Sequence, residues 1–257
     1  MAFNIDRRSL LTAGAAAVVA RPALAQATLV KTITFQQRRP GQSHADFMRY
    51  WMEAHAPLMR KAPGVRGVIF TEILGPTNQR KDIAIAADQI DLDGVIETWR
   101  LDGPAPTDPA GVEAERKAHE DGRNYVGQLK GFRVQENVLV RPARGGKGLL
   151  SLLYRKPDVS HADFTQHWLT IHGPMASQVP EVAGLVLNEV LAPSPPGDLP
   201  VIHALDAVDG IAESWHKDTT YGAVTSPEAK RWYADGADLI GLARGYYTQE
   251  HVIMAPA

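Results

Sequence analysis

The sequence predicts an α+β fold made of two similar halves, each of them a β-α-β-β-α-β unit. The first observation is a repeat, because HADFMRYWMEAHAP at 44–57 returns as HADFTQHWLTIHGP at 161–174, 117 residues further along the chain. The second is that other matches follow in the same order, such as DGVIETWR at 93–100 and DGIAESWH at 209–216. Chance similarity does not keep its order along a whole chain, so we interpret the sequence as an internal duplication.

The strands of both halves come from short runs of apolar, β-branched and aromatic residues. They are predicted at 31–38, 65–74, 93–100 and 132–140, and again at 149–156, 182–191, 209–216 and 246–254. This order defines the ferredoxin-like unit, with one repeat over 28–141 and the other over 147–257. Each unit leaves one sheet face without helices, so we expect the two units to pair as an intramolecular α+β barrel. The glycine-containing segment 141–147 is expected to act as a hinge.

The first helix of each repeat has clear signals. Ser43 and Asp46 form a capping-box-like start, and the same pair recurs in the second repeat. Phe47, Trp51 and His55 follow at intervals of four residues, which places them on one stripe of a helix. The second helices are predicted over 113–127 and 227–241.

Residues 1–27 are expected to lie outside the fold. Arg7 and Arg8 precede an apolar run over 10–20, and small residues up to Ala25 fit a signal-peptidase site, with cleavage after Ala25. The paired arginines resemble a twin-arginine signal, and a Sec signal with a charged start is the alternative. The sequence therefore predicts a periplasmic or secreted protein.

Composition narrows the class of protein further. Hydrophobic residues make up 44% of the 257 residues and charged residues 22%, as in a globular protein with a substantial core. The formal net charge of −2 argues against a nucleic-acid partner. We expect no membrane span in the mature chain, and without cysteine the stability must come from the core. A monomer or a homodimer is expected.

Taken in order, these motifs resemble the EthD family of the dimeric α+β barrel superfamily. The pattern is F-x-x-x-W-x-x-x-H-x-P on a helix, then P-x-V-x-G before a strand, then E-x-W. It is carried by Phe47, Trp51, His55, Pro57, Pro63, Val65, Gly67, Glu97 and Trp99, and again by Phe164, Trp168, His172, Pro174, Pro180, Val182, Gly184, Glu213 and Trp215. The resemblance covers 29–254 and implies two units that face each other as a barrel. Related barrels include cofactor-free monooxygenases, lactone isomerases, lyases and haem enzymes, so the fold does not choose among these activities.

His55 and His172 are the first candidates for catalysis. Imidazole exchanges protons near neutral pH, and both side chains share a stripe with core aromatics, so they should face the interior. The alternative is a buried histidine that holds the end of its helix by a hydrogen bond. Recurrence does not separate the two interpretations, because a packing role would be duplicated too.

Glu97 and Glu213 are the second candidates. Each is followed two residues later by a tryptophan on the same strand face, Trp99 or Trp215. A carboxylate on a buried face is costly unless it is paired. One expectation is therefore a His–Glu pair in a cavity, and the alternative is an ion pair with lysine or arginine at a covered rim.

Aromatic residues complete the predicted substrate site, namely Trp51, Trp168, Trp99, Trp215, Tyr50 and Tyr125. Tyr50 and Tyr125 stand opposite His167 and Leu239 in the repeat, so they mark where the halves diverge. The remaining repeated polar residues are His44 and His161, expected at exposed helix starts, and Glu72 and Glu189, expected near the same cavity.

The expected function follows from these candidates. The histidine spacing and the lack of cysteine argue against a metal site, and no nucleotide-binding glycine loop is present. No cofactor is expected, although haem bound through one histidine stays open. We expect a cofactor-independent isomerase, lyase or oxygenase for a small apolar or aromatic oxygenated compound. The alternative is a periplasmic protein that binds a hydrophobic ligand or haem without turnover.

Overall fold

The computed structural model describes residues 28–77, 83, 89–104, 106–195, 197–217 and 226–256, so the predicted signal segment lies outside the described residues. The strands of the first repeat are β1 (Leu29–Arg38), β2 (Val65–Thr77), β3 (Gly94–Leu101) and β4 (Val126–Val140). Those of the second are β5 (Lys147–Arg155), β6 (Val182–Ser194), β7 (Gly210–His216) and β8 (Ile240–Met254). These are the predicted strands in the predicted order.

The helices also repeat. They are α1 (His44–Tyr50), α2 (Ala56–Met59) and α3 (Pro109–Asp121), and then α4 (His161–His167), α5 (Gly173–Ser177) and α6 (Pro227–Leu239). The Ser43 hydroxyl accepts from the Asp46 N–H, which confirms the predicted cap. A π-helical turn separates α1 from α2 at Trp51–His55, and another separates α4 from α5 at Trp168–His172. Such turns are rare and often occur at functional sites.

The strands close into one antiparallel barrel in the order β1-β3-β2-β8-β5-β7-β6-β4. Within each repeat the sheet order is that of a ferredoxin-like unit. Two seams join the repeats, β2 with β8 and β4 with β6. The predicted intramolecular α+β barrel is therefore confirmed. No helix in the described part of the chain is long and apolar enough to cross a bilayer.

Three apolar cores follow from the alternation of residues along the strands. One fills the barrel interior and includes Phe35, Phe132 and Leu152. The other two lie between each sheet and its helices, around Trp51 in the first repeat and Trp168 in the second. Every strand thus has a barrel face and a helix face, and these two faces separate the candidate site residues.

The last strand of each repeat is longer than predicted, since β4 and β8 begin at Val126 and Ile240. Glycines weaken the strand signal in these stretches, but pairing with β1 and β5 imposes an extended backbone. A Cβ on Gly127 would lie 2.7 Å from the carbonyl oxygen of Arg38, so glycine is needed for this close approach.

The segment 141–147 is not a free hinge. Nη1 of Arg144 reaches into the barrel and lies 2.5 Å from Oε1 of Glu250. The Gly145 N–H donates to the other Glu250 oxygen at 2.9 Å, and the Glu250 N–H donates to the Gly146 carbonyl at 3.0 Å. The connection between the repeats is therefore fixed to β8.

In each repeat, a described residue between the second and third strands packs against the other repeat. After β6, Leu199 packs on the helix-side core of the first repeat. The Leu129 N–H donates to the Pro200 carbonyl at 2.9 Å and fixes this crossing. After β2, Ile83 is buried in the helix-side core of the second repeat. Each helix-side space is thus closed by a segment of the other repeat.

Candidate active site

His55 ends the π turn of the first repeat and is only 4% exposed. Its Nδ1 lies 2.9 Å from Oδ2 of Asp121, at the end of α3. The other oxygen of Asp121 accepts from the Tyr50 hydroxyl at 2.7 Å and from the Asn124 amide at 3.0 Å. Because a carboxylate only accepts, these bonds assign the proton of neutral His55 to Nδ1 and leave the lone pair on Nε2.

The ionisation of Asp121 is secured by the same contacts. Burial would raise the pKa of Asp121, but the hydrogen bonds from His55 and Tyr50 outweigh it and hold that pKa below the ordinary value. The carboxylate therefore stays charged at neutral pH and fixes the orientation of the imidazole.

The second repeat builds the same pair. Nδ1 of His172 lies 2.8 Å from Oδ2 of Asp235, and Nε2 of His167 lies 2.8 Å from Oδ1. His167 thus binds its aspartate where Tyr50 binds Asp121, which explains how the two halves differ at this position. Both aspartates could have been found from the sequence, because an Asp-Gly pair recurs in the two repeats.

The two imidazoles differ at Nε2. The indole N–H of Trp232 donates to Nε2 of His172 at 2.7 Å. The equivalent residue of the first repeat is Ala118, which has no donor. Within the described part of the chain, no group is hydrogen-bonded to Nε2 of His55. Of these two described imidazoles, that of His55 is therefore the one that offers a lone pair to a bound molecule.

His55 lines a cavity of about 240 Å³ between the helices and the sheet of the first repeat. The sheet side of this cavity is polar and is formed by Thr32, Thr34, Gln36 and Thr98. The side-chain carbonyl of Gln36 is buried and has no hydrogen-bond partner among the described residues. A bound molecule with a donor group would satisfy this oxygen.

Charged and aromatic groups complete the wall of this cavity. Arg100 makes two hydrogen bonds of 2.7 Å to the carboxylate of Glu115, so its charge is balanced within the wall. The ring of Tyr125 lies 5.1 Å from that of His55, measured between centroids. Burial raises the pKa of Tyr125, so its phenol remains a neutral donor. Leu199 of the second repeat adds an apolar contact.

The predicted His–Glu pair is wrong. Glu97 and Glu213 lie on the barrel face of their strands, whereas Thr98 and Ser214 line the helix-side cavities. Adjacent strand residues face opposite sides of a sheet, so each glutamate is separated from its histidine by the sheet itself. The structure instead shows the ion-pair alternative, because Nζ of Lys31 lies 2.6 Å from Glu97 and 3.4 Å from Glu213.

The two glutamates belong to a buried charge network that joins the repeats. Nη1 of Arg144 lies 3.0 Å from Glu213, and the carboxylate oxygens of Glu97, Glu213 and Glu250 lie within 4.8 Å of one another. Burial, and then the charge of Glu213, raises the pKa of Glu97 to about 8. Lys31 and Arg144 bridge these carboxylates from both repeats, so the cluster is a structural connection between the two halves. A search for repeats misses both cations, because neither has a counterpart in the other half.

The predicted aromatic residues do not share one site. Trp51 is fully buried and stacks on Phe70, in the core rather than in the cavity. Trp99 and Trp215 face the barrel, below Lys31 and Arg144 at 4.6 and 4.9 Å from the ring centroids. Tyr125 lines the first cavity, Trp168 lines the second, and Tyr50 acts on the site through Asp121.

The leading histidines do more than begin their helices. Nδ1 of His44 lies 2.9 Å from Asp93 and its Nε2 lies 3.1 Å from Glu72, although the side chain is 36% exposed. His161 contacts Asp209 in the same way, at 2.9 Å. These contacts tie each helix start to the turn before the third strand. Glu72 therefore lies in a separate cleft with His44, and Glu189 is not among the described residues that line either helix-side cavity.

A closed barrel of two ferredoxin-like units, with a His–Asp pair beneath the helices of each unit, defines a tandem α+β barrel protein. The model of the EthD domain matches residues 39–126 and again 156–243. The chain therefore belongs to the EthD family and carries two copies of its domain. No curated protein matches the sequence.

Solved structures share this fold at low sequence identity. An anthrone oxidase-like protein is 9% identical with a TM-score of 0.51, over 89% of this chain and 96% of that one. A predicted monooxygenase from Lactobacillus acidophilus NCFM is 11% identical with a TM-score of 0.50, over 87% and 94%. Another, from Fusobacterium nucleatum subsp. nucleatum, is 9% identical with a TM-score of 0.53, over 89% and 94%. Such identities establish similarity of fold alone.

Proposed function

We propose that the chain is an enzyme that transfers a proton on a small oxygenated molecule bound in the first-repeat cavity, with His55 as the general acid–base. One observation carries the proposal: His55 is oriented by an ionised aspartate, has no hydrogen-bond partner at Nε2 among the described residues, and lines a cavity of about 240 Å³. Such a group contributes about 10²- to 10⁴-fold to a rate.

The cavity wall indicates the substrate class. The buried carbonyl of Gln36 needs a donor, and the phenol of Tyr125 can donate to an oxygen. A compound with a hydroxyl beside a carbonyl satisfies both groups. His55 would remove a proton next to the carbonyl, and Asp121 would stabilise the imidazolium that forms. Returning the proton at another atom gives isomerisation, and loss of a leaving group gives a lyase reaction.

Oxygenation is a second candidate. A substrate carbanion formed by His55 can donate electrons to molecular oxygen without a bound cofactor. The observation in its favour is that proteins of this fold include one described as anthrone oxidase-like and two described as predicted monooxygenases. Consumption of dissolved oxygen during turnover would distinguish this reaction from isomerisation, which consumes none.

The residues do not fit haem. Both nitrogens of His172 are hydrogen-bonded, to Asp235 and Trp232. The helix-side cavities measure about 110 and 240 Å³. Both are below the roughly 300–1,000 Å³ of ordinary ligand pockets, and a haem is larger than most such ligands. We therefore assign no step to haem.

Export through the predicted signal segment is part of the proposal. The full-length precursor, produced in a bacterial host, should be recovered from the periplasm with Gln26 as its first residue. N-terminal sequencing of the periplasmic fraction measures this. An uncleaved chain that stays in the cytoplasm would contradict it.

The catalytic proposal is tested by solvent hydrogen exchange. Hydroxyketones and hydroxylated aromatic ketones are incubated with the enzyme in D₂O, and loss of the proton beside the carbonyl is followed by NMR. We expect His55→Gln to slow the exchange by about 10²- to 10⁴-fold, because the imidazole is the proton acceptor. His203→Gln is the control, since His203 is an exposed histidine paired with Asp206 outside both cavities. A folded His55→Gln protein that exchanges as fast as the wild type would overturn the proposal, as would failure of every compound.

A further inference from the structure

The second repeat has a cavity of its own between its helices and its sheet, with a volume of about 110 Å³. It shares no lining residue with the cavity of His55. Thr77 and Ile83 of the first repeat contribute to its wall, so both halves of the chain enclose it. It is distinct from the proposed acid–base site.

Three alanines in the wall of this cavity distinguish it from the cavity of the first repeat. Ala176, Ala212 and Ala243 line the cavity, whereas the equivalent residues of the first repeat have larger side chains. Those equivalents are Met59, Ile96 and Leu129. Both repeats enclose a cavity between helices and sheet, and these alanines give the cavity of the second repeat a different shape and lining.

The sheet side of the cavity has also become apolar. Leu149 and Leu153 stand where the first repeat has Thr32 and Gln36, and Ser151 replaces Thr34. Polar hydroxyl and amide groups have thus been exchanged for aliphatic ones along β5. The indoles of Trp168 and Trp232 supply flat surfaces on the helix side, which suit an aromatic ring.

No aspartate, glutamate, lysine or arginine occurs among the described residues that line this cavity. Its two histidines are already engaged or desolvated. His172 is fixed between Asp235 and the indole of Trp232, and burial lowers the pKa of His216. A charged ligand would lose its hydration without gaining a counter-charge. The hydroxyl of Ser151 can hydrogen-bond to one neutral polar group, and the hydroxyl of Ser214, which lies 3.4 Å from Nε2 of His216, can still accept a hydrogen bond.

We propose that this cavity is a binding site for an uncharged molecule of one aromatic ring, with phenol as the model ligand, and that it does not catalyse a reaction. Size supports the assignment, because an aliphatic cavity of about 150 Å³ in another protein stays dry and binds benzene. Trp232 occupies the lone pair of His172, which removes the acid–base function from this half.

The test uses calorimetry and thermal denaturation of the mature chain with phenol, benzene and benzoate. Phenol should bind one to one and raise the melting temperature as its concentration increases. Benzene should bind more weakly, because it cannot hydrogen-bond to the serines. Benzoate should not bind, because its charge would be buried without a partner.

Substitutions taken from the first repeat locate the site. Ala212→Ile and Ala176→Met install the residues that the other half carries at the same positions, and each should weaken phenol binding at least about tenfold, or about 1.4 kcal/mol. Circular dichroism verifies that they fold, and the second variant serves if the first does not. Ala118→Trp fills the other cavity and should leave phenol binding intact.

Three results would overturn the inference: no saturable phenol binding by the wild type, wild-type affinity in both filled variants, or loss of binding in Ala118→Trp. The inference does not rest on the proposed catalysis, because heat and stability are measured rather than proton exchange. His55→Gln should bind phenol normally even if it proves fully active in exchange.

Discussion

A single indole separates two otherwise equivalent histidines. His55 and His172 each bind an aspartate through Nδ1, but Trp232 donates to Nε2 of His172 while Ala118 stands at that position beside His55. An acid–base group must be able to reach its substrate as well as titrate in the right range. The difference in chemistry between the repeats therefore lies outside the repeated motif that contains the histidines.

Ala118→Trp should place an indole beside His55, as Trp232 places one beside His172. The new indole would occupy the cavity and cap Nε2 of His55, so we expect proton exchange to fall by roughly 10²-fold. Val112→Trp is the matched control, because Val112 lies on the exposed side of the same helix. NMR exchange rates of the two variants measure the effect. Equal rates in both would show that access to Nε2 is not what limits the reaction.

At the scale of elements, the capped helix α1 leads into the π turn that ends at His55, so the cap helps to fix the position of this side chain. The Ser43 hydroxyl accepts the Asp46 N–H at 3.1 Å, and Ser160 repeats this bond at the start of α4. Caps of this kind contribute about 1 kcal/mol. The π turn that follows then determines where the imidazole lies relative to α3.

Ser43→Ala should lower the free energy of unfolding by about 1 kcal/mol. It should leave the exchange chemistry largely in place, because Asp121 still orients His55. Urea denaturation of Ser43→Ala and of the matched Ser160→Ala measures both caps. A loss of activity much larger than the loss of stability would mean that the cap also sets the geometry of the site.

The sequence predicts the elements well but not which face of each strand the helices cover. Alternation correctly places Glu97 and Trp99 together, and tryptophan correctly marks a buried face. Two buried faces exist, however, and nothing local distinguishes the barrel interior from the helix side. This is why the His–Glu pair is wrong while the inward position of His55 is right.

Partners from distant segments are the hardest to predict. Asp121 recurs in the repeat but resembles a turn residue, and the hydrogen bond from Trp232 to His172 joins residues 60 positions apart. Lys31 and Arg144 have no repeat counterpart and acquire their role only when the barrel closes. Barrel closure itself was predictable, because each unit has a bare sheet face that needs cover.

At the scale of the molecule, the buried charge network makes stability depend on pH. The pKa of Glu97 is about 8 in the folded chain, above the ordinary value of 4.5 for a glutamate. The folded state therefore keeps a proton that the unfolded state loses between these values, and this contribution to stability falls as pH rises from about 4.5 to 8. Above about pH 8, the ionisation of Glu97 no longer makes the free energy of unfolding change with pH.

Glu97→Gln should remove this contribution and flatten the fall in stability between pH 5 and 8. Urea denaturation at a series of pH values measures it, with Glu113→Gln as the control because Glu113 pairs with Arg116 on the exposed face of α3. An unchanged pH profile in Glu97→Gln would mean that Glu97 is ionised in the folded protein.

The packing of Leu199 and Ile83 against the opposite repeat has a consequence for how the two halves could diverge. In a symmetric pair of separate subunits, any substitution in one pocket appears in the other, so Ala118 and Trp232 could not coexist. A covalent tandem removes that restriction, and one half keeps a reactive imidazole while the other gains a ring-sized void. The halves nevertheless remain inseparable, because Leu199 and Ile83 each close the pocket of the opposite repeat. Deleting either repeat would open the pocket of the other to solvent.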